Sequence, residues 1–305
     1  MSMYKFSTRR SVAAILASSL LLVSGDGLAG VVRPVVTEGD WMNDESWLWT
    51  SAQQATDGLA QIPPSGDTVF LAHSAGTIIK LAAPSPKLHG ITIGNATDTS
   101  PISRLVLASG ALLEPGILVI GRPGGSIASN GGSLEIQDEA ACTVTYMAII
   151  GGQKDNLPVS NGFLLLRGGE LTTRTLLAGH GGKGPGSLIS VKGQKSKLIV
   201  THKADIRGAN ADQKASGATL EFILDQNGVS PITFSGDLEL KDLPGLRVDL
   251  TEYAEGKVPA TICLIRVEGT RSGDFANTEF LHLPKGMKAE ASWKPDNSLM
   301  LELSR

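Results

Sequence analysis

The sequence predicts an all-β protein, a right-handed parallel β-helix in which each coil of the chain packs on the next. Two observations predict this fold: a short apolar strand ending in glycine recurs at a near-constant interval, and no segment has a sustained helical period. The strand-ending glycines are 27, 30, 28, 29 and 28 residues apart: Gly94, Gly121, Gly151, Gly179, Gly208 and Gly236. Such a period is typical of solenoids, whose units bury their apolar faces against each other.

The first 29 residues are predicted to be a signal peptide. Basic residues precede an uncharged apolar run, and small residues follow it: Lys5, Arg9 and Arg10, then 12–23, then Gly27 and Ala29. We expect cleavage after Ala29 and export to the periplasm, the cell surface or the extracellular medium. The apolar run is too short to cross a bilayer, so we expect no membrane span in the mature chain. The Arg9-Arg10 pair leaves Sec and twin-arginine export both open.

Charge and cysteine content exclude several classes of function. The predicted mature chain has 24 basic and 29 acidic residues, so it has no basic excess for nucleic acid. Cys142 and Cys263 are the only cysteines, and they are too few for a zinc site. We expect two buried thiols, with a single disulfide as the alternative in an exported protein. The sequence predicts no metal and no cofactor.

The mature chain divides into three predicted regions. Residues 30–66 form an N-terminal cap that carries Trp41, Trp47 and Trp49, residues 67–236 form the coils, and residues 237–305 form an antiparallel β cap. Trp47 and Trp49 alternate with Leu48, so a sugar-stacking platform is the alternative interpretation of the first region.

The register of the repeat contains one conflict. In 91–93 the outer two residues are apolar, whereas in 205–207 only the middle residue is. A slip of one residue reverses the face of every side chain. Either the glycine alignment is displaced by one residue in the later coils, or a bulge intervenes.

Three motifs carry a resemblance to a known class. Trp41 and Trp47 precede Pro-Pro-Ser-Gly-Asp-Thr-Val at 63–69; Leu-x-Leu-x-x-Gly-x-Leu recurs with a closing Ile-Gly; and Gly-Val-Ser-Pro-Ile at 228–232 precedes Ser-Gly-Asp-Phe at 272–275. The chain resembles exported bacterial β-helix proteins with autotransporter-passenger-like repeats. The resemblance implies a surface or matrix role over most of the mature chain. We expect no translocator barrel after Arg305, in contrast to a true autotransporter, and therefore no self-export.

Candidate ligand-binding residues lie in the loops behind the repeat glycines, which we expect to stack along one edge. They are Arg122, Lys154, Asp155, His180, Lys183, Asn210 and Asp212. Lys154 and Lys183 are 29 residues apart, one coil of the repeat. Stacked cations suit an acidic polysaccharide or a cell-surface glycan. We therefore expect an exported, monomeric, non-enzymatic structural protein of the cell envelope or extracellular space that binds glycan.

The alternative function is a polysaccharide lyase or glycoside hydrolase on the same scaffold. A lyase needs a base and a cation such as calcium, which several converging carboxylates would hold. Asp155 and Asp212 stand alone in the sequence. A hydrolase needs two opposed carboxylates, but Asp138 and Glu139 are adjacent and Glu170 is one coil away. The sequence therefore assigns no catalytic residue.

Overall fold

In the computed structural model, nearly every described segment is an extended strand. The described residues are 31–34, 36–49, 63, 65–71, 76–94, 102–121, 131–151, 161–180, 186–209, 217–253 and 260–305. The only helical segment among them is one short 3-10 turn, Asp44–Ser46. None of these residues forms a helix long and apolar enough to cross a membrane.

The described strands number 24. The first twelve are β1 (Val31–Pro34), β2 (Glu38–Asp40), β3 (Trp47–Trp49), β4 (Thr68–Leu71), β5 (Ile78–Leu81), β6 (Leu88–Ile93), β7 (Ser103–Leu107), β8 (Leu112–Leu113), β9 (Pro115–Ile120), β10 (Gly132–Gln137), β11 (Ala141–Ile150) and β12 (Gly162–Arg167). The remaining twelve are β13 (Glu170–Ala178), β14 (Ser187–Lys192), β15 (Lys197–Arg207), β16 (Ala218–Ile223), β17 (Ile232–Phe234), β18 (Asp237–Lys241), β19 (Gly245–Asp249), β20 (Ala260–Val267), β21 (Arg271–Ser272), β22 (Glu279–Leu281), β23 (Lys288–Trp293) and β24 (Ser298–Ser304).

These strands form two long sheets whose central pairings are all parallel. Sheet A has 15 strands, with the path β3-β1-β4-β6-β9-β11-β13-β15-β17-β20-β24-β23 and with β8, β18 and β21 beside it. Sheet B has nine strands in the order β2-β5-β7-β10-β12-β14-β16-β19-β22. The chain alternates between the sheets, so each coil runs along sheet B and then along sheet A. The predicted parallel β-helix is confirmed as a β-solenoid of about six turns; its handedness stays a prediction.

The core is built from columns of apolar side chains that stack from coil to coil. In sheet B one column runs through Ile79, Leu105, Leu134, Leu164, Ile189 and Leu220, and all six are fully buried. Sheet A contributes Ile93, Ile120, Ile150, Ala178 and Ile206 in register. Alternating inward and outward residues therefore account for the period-two pattern within each short strand.

The strand register resolves the conflict between the repeats. Ile206 pairs with Ala178, so Arg207 lies opposite Gly179 and Gly208 stands one residue late. The predicted alignment was therefore wrong by one position at Gly208. It was also wrong at Gly236. Phe234 pairs with Val200 and Asp237 pairs with Lys203, so Gly236 lies in the interruption between these two pairs and not at a strand end.

The two ends of the coil are closed by different devices. Trp41 and Trp47 are fully buried with ring centroids 4.9 Å apart, and Trp47 Nε1 donates to the Trp41 carbonyl oxygen at 2.9 Å. Trp47 is thus unavailable as a sugar platform, and the side chain of Trp49 lies outside the described residues. At the other end β24 pairs antiparallel with both β20 and β23. Strand β19, which lies inside the predicted antiparallel cap at 237–305, in contrast pairs in parallel with β16.

Both cysteines are free thiols in the structure. Cys142 lies in the inward column of β11 and Cys263 is half-buried in β20. Burial raises the pKa of each thiol above its usual value. The structure therefore favours two free thiols over the disulfide alternative, with Cys142 buried as predicted and Cys263 only half-buried.

Candidate functional site

The strands that flank the predicted binding loops end in register along one edge of sheet A. Gly121 N donates to Ile93 O at 2.8 Å, and Gly151 N donates to Ile120 O at 2.8 Å. Gly179 continues the ladder with a φ of 73°, a conformation that favours glycine. Each loop behind these glycines leads from a strand of sheet A to the next strand of sheet B.

Six of the seven candidate residues lie outside the described residues: Arg122, Lys154, Asp155, Lys183, Asn210 and Asp212. The seventh, His180, follows Gly179 and is described. Its side chain is only 8% exposed, so it is covered instead of projecting into solvent. This position limits its availability to a polymer on the surface.

His180 belongs to a polar cluster on the outer face of sheet A that joins three successive coils. We call it the Asp205 cluster: His180, Lys203, Asp205, Arg207, Glu239 and Lys241. Asp205 pairs with Leu177 on one side and with Glu239 on the other, in the central outward column of the sheet. Its side chain is 10% exposed although it points away from the core.

Three basic side chains surround the Asp205 carboxylate. Lys241 Nζ lies 2.7 Å from Oδ2, and Arg207 Nε and His180 Nε2 each lie 3.3 Å from Oδ1. Burial alone would raise the pKa of Asp205, but the hydrogen bonds from His180, Lys241 and Arg207 outweigh it and hold the pKa well below its usual range. The carboxylate is therefore ionised and fully engaged by these partners.

A second carboxylate, Glu239, shares the lysines of the Asp205 cluster. Its Oε2 accepts from Lys241 Nζ at 2.8 Å and lies 3.2 Å from Lys203 Nζ. Hydrogen bonds from these lysines lower the pKa of Glu239 and exceed the opposing effect of its partial burial. The cluster thus pairs two carboxylates with cations from neighbouring coils, an arrangement that fixes the coils against each other.

The pairing and burial of His180 limit its use as a general base. Nε2 of His180 faces both Oδ1 of Asp205, at 3.3 Å, and the Asp205 carbonyl oxygen, at 3.2 Å. A base must reach the proton it abstracts, and the side chain is only 8% exposed, so a polymer on the surface has little access to the other ring nitrogen, Nδ1. A structural role within the Asp205 cluster therefore suits His180 better than elimination chemistry.

Sequence reasoning missed a second cluster near the end of sheet B. Oδ1 of Asp249 accepts from Thr251 N at 2.9 Å and lies 2.9 Å from His282 Nδ1, with His282 at a φ of 54°. Asp249 and His282 are 33 positions apart, which exceeds the repeat interval, so their spacing in the sequence did not indicate that they are in contact. The burial of Asp249 opposes ionisation, yet the Thr251 and His282 hydrogen bonds lower its pKa.

The carboxylates of the hydrolase alternative have other contacts. Glu139 Oε2 accepts from Ser109 Oγ at 3.1 Å, and Glu170 Oε2 lies 3.6 Å from Lys197 Nζ. Across the described part of the chain, no group of three or more His, Cys, Asp or Glu side chains could hold a metal ion.

Comparisons with protein-family models, with curated proteins and with solved structures find no match to this chain. The fold therefore defines the protein only as a parallel β-solenoid. A function must be inferred from the residues on the surface of this chain.

Proposed function

We propose that the protein is an exported, non-enzymatic β-solenoid of the cell envelope or extracellular space that binds an acidic glycan along its loop edge. The single observation that supports this proposal is the register of the strand ends at Ile93, Ile120, Ile150 and Ala178. Because adjacent strands lie about 4.8 Å apart, the loops behind them begin one above another. Lys154 and Lys183 follow successive strand ends in this series.

A linear polymer is the ligand class that suits such a row. Cations repeated along the coil axis contact a polyanion at successive positions, so weak individual contacts add through multivalency. The low exposure of the His180 side chain, 8%, favours binding over lyase chemistry, since a base must reach the proton that it abstracts. The autotransporter-passenger-like resemblance and the leader predicted from the sequence support an exported location.

The export proposal predicts a specific mature N-terminus. When the full chain is produced in a bacterial host, we expect the protein in the periplasm or medium to begin at Gly30, because the leader would be cut after Ala29. N-terminal sequencing of the fractionated protein measures this. Ala29→Arg is the control variant, which should block cleavage and retain the leader. Recovery of the uncut wild-type chain in the cytoplasm would contradict the proposal.

The binding proposal predicts that the loop lysines carry affinity for a polyanion. With polygalacturonate as the probe, we expect Lys154→Ala with Lys183→Ala to weaken binding roughly tenfold, because each lost charged contact removes about 0.7 kcal/mol and tenfold corresponds to about 1.4 kcal/mol. Isothermal titration calorimetry at two salt concentrations measures this, and salt should weaken the wild-type binding.

Lys195→Ala provides the matched control, because Lys195 is exposed in the turn between β14 and β15, away from the loop edge. It should bind like the wild-type protein. Equal affinity of the double variant and the control would overturn the proposed loop site.

A further inference from the structure

Sheet A carries a second candidate surface where its long strands are interrupted. Between Val144 and Met147 strand β11 has two residues, whereas β13 has one between Thr173 and Thr175. Strand β15 again has two residues at this level. We call the residues at this level of β11, β13 and β15 the bulge ridge: Thr145, Tyr146, Arg174, Thr201 and His202. Bulges re-aim side chains and are common beside functional sites.

All five side chains of the bulge ridge are exposed. Tyr146 is 58% exposed, the highest exposure among the large described aromatic residues. Within the described part of the chain, neither the Tyr146 hydroxyl nor the Arg174 guanidinium has a hydrogen-bond or ion-pair partner. An aromatic ring and an unpaired cation thus occupy adjacent rungs of a rigid sheet.

The floor beneath the tyrosine is shaped by a glycine. A Cβ built on Gly116 would lie 3.4 Å from Tyr146 Cδ2, so the ring lies against the bare backbone of the preceding coil. This contact supports the ring from below and leaves much of it open. On the other side of Arg174, His202 completes a row over three rungs, which spans roughly 10 Å at the usual strand spacing.

Among the described residues of the bulge ridge, Arg174 is a cation without an ion-pair partner. Lys203 is paired with Glu239 at 3.2 Å, and Glu170 is paired with Lys197 at 3.6 Å. Asp237, which lies opposite Lys203 in the neighbouring coil, is held by Thr270 N and Oγ1 at 2.9 and 2.6 Å. No described carboxylate therefore neutralises Arg174.

We propose that the bulge ridge is a binding site for a carboxylated sugar unit, with the ring of Tyr146 stacked on the sugar and Arg174 paired with the carboxylate. An aromatic face accepts the apolar face of a sugar ring, and the planar fork of arginine matches a carboxylate. The hydroxyls of Thr145 and Thr201 supply hydrogen bonds on either side. The ligand class rests on the proposed glycan-binding function, but the site is separate from the loop edge.

The test compares two ridge variants with matched controls. For polygalacturonate, we expect Arg174→Ala to weaken binding roughly tenfold and Arg174→Lys to recover only part of it, because lysine keeps the charge and loses the fork. Tyr146→Ala should weaken binding, and Tyr146→Phe should not. Arg104→Ala, an exposed arginine on sheet B, should behave as wild type. Circular dichroism and thermal unfolding confirm that each variant folds.

The outcomes separate this site from the loop edge. If Arg174→Ala binds as tightly as Arg104→Ala while the Lys154/Lys183 variant loses affinity, the ridge site is wrong and the loop proposal stands. If the ridge variants lose affinity and the loop variant does not, the ridge site stands alone. Wild-type protein that binds a neutral glycan or an acidic peptide equally well, or binds no polyanion, would overturn the ridge site.

Discussion

Gly132→Ala is expected to destabilise the protein by about 3 kcal/mol, an overpacking effect at the high end for one added methyl group. A Cβ at this position would lie 1.8 Å from the carbonyl oxygen of Ile93. That oxygen already accepts the ladder hydrogen bond from Gly121 N at 2.8 Å. The methyl group can fit only if the end of sheet A moves away from the start of sheet B. Chemical denaturation of the purified variant measures the loss.

Gly90→Ala is the matched control for this prediction. Gly90 is also a buried strand glycine without a positive φ, but its Cβ would meet Ile117 O at 3.4 Å, an ordinary contact. We expect a change of less than about 1 kcal/mol, since alanine costs less backbone entropy than glycine. Equal stability of the two variants would show that the close approach at Gly132 does not exist.

Asp205→Asn is expected to cost about 2 kcal/mol, because the buried carboxylate loses its charged hydrogen bonds, while its partners Arg207 and Lys241 are 31% and 42% exposed and stay partly hydrated. The carboxylate has Lys241 at 2.7 Å and Arg207 at 3.3 Å, and its side chain is only 10% exposed. Removing its charge leaves Arg207 without a described carboxylate partner, whereas Lys241 keeps Glu239 at 2.8 Å. Urea unfolding at neutral pH measures the difference between wild type and variant.

Asp205 should also make the free energy of unfolding depend on pH in the acid range. The folded-state pKa of Asp205 is lowered below that of the unfolded chain, about 3.9. Its contribution is therefore present in full above that unfolded value and is lost as the pH falls through the folded-state pKa. The stability gap between wild type and Asp205→Asn should narrow as the pH falls below about 4. Glu268→Gln, an exposed carboxylate, is the control; a gap independent of pH would contradict the prediction.

The architecture could be predicted from the sequence because the repeat reflects a packing requirement that every coil must meet. An inward residue such as Ile93 or Ile150 must recur once per coil, and the following glycine closes the ladder at the corner. That signal failed at Gly208 and Gly236. One extra residue before Gly208, and a short strand before Gly236, change the local length while the coils stay in register.

Surface clusters were much harder to predict, because they depend on which coils are neighbours at single-residue precision. Asp205 was assigned to an ambiguous strand, and its partners Lys241 and Glu239 lie 36 and 34 residues further along the chain. Those separations exceed one repeat because β17 and β18 divide the next pass through sheet A. The bulge ridge had no sequence signal, since an inserted residue is visible only once its partners are paired.

The proposed non-enzymatic, glycan-binding role is tested most directly by following the size of polygalacturonate chains mixed with the mature protein, using size-exclusion chromatography with light scattering. One elution profile reports both binding and cleavage. We expect protein to co-elute with the polymer while the polymer keeps its original length. Progressive shortening of the polymer would contradict the non-enzymatic account, and separate elution of both components would contradict glycan binding.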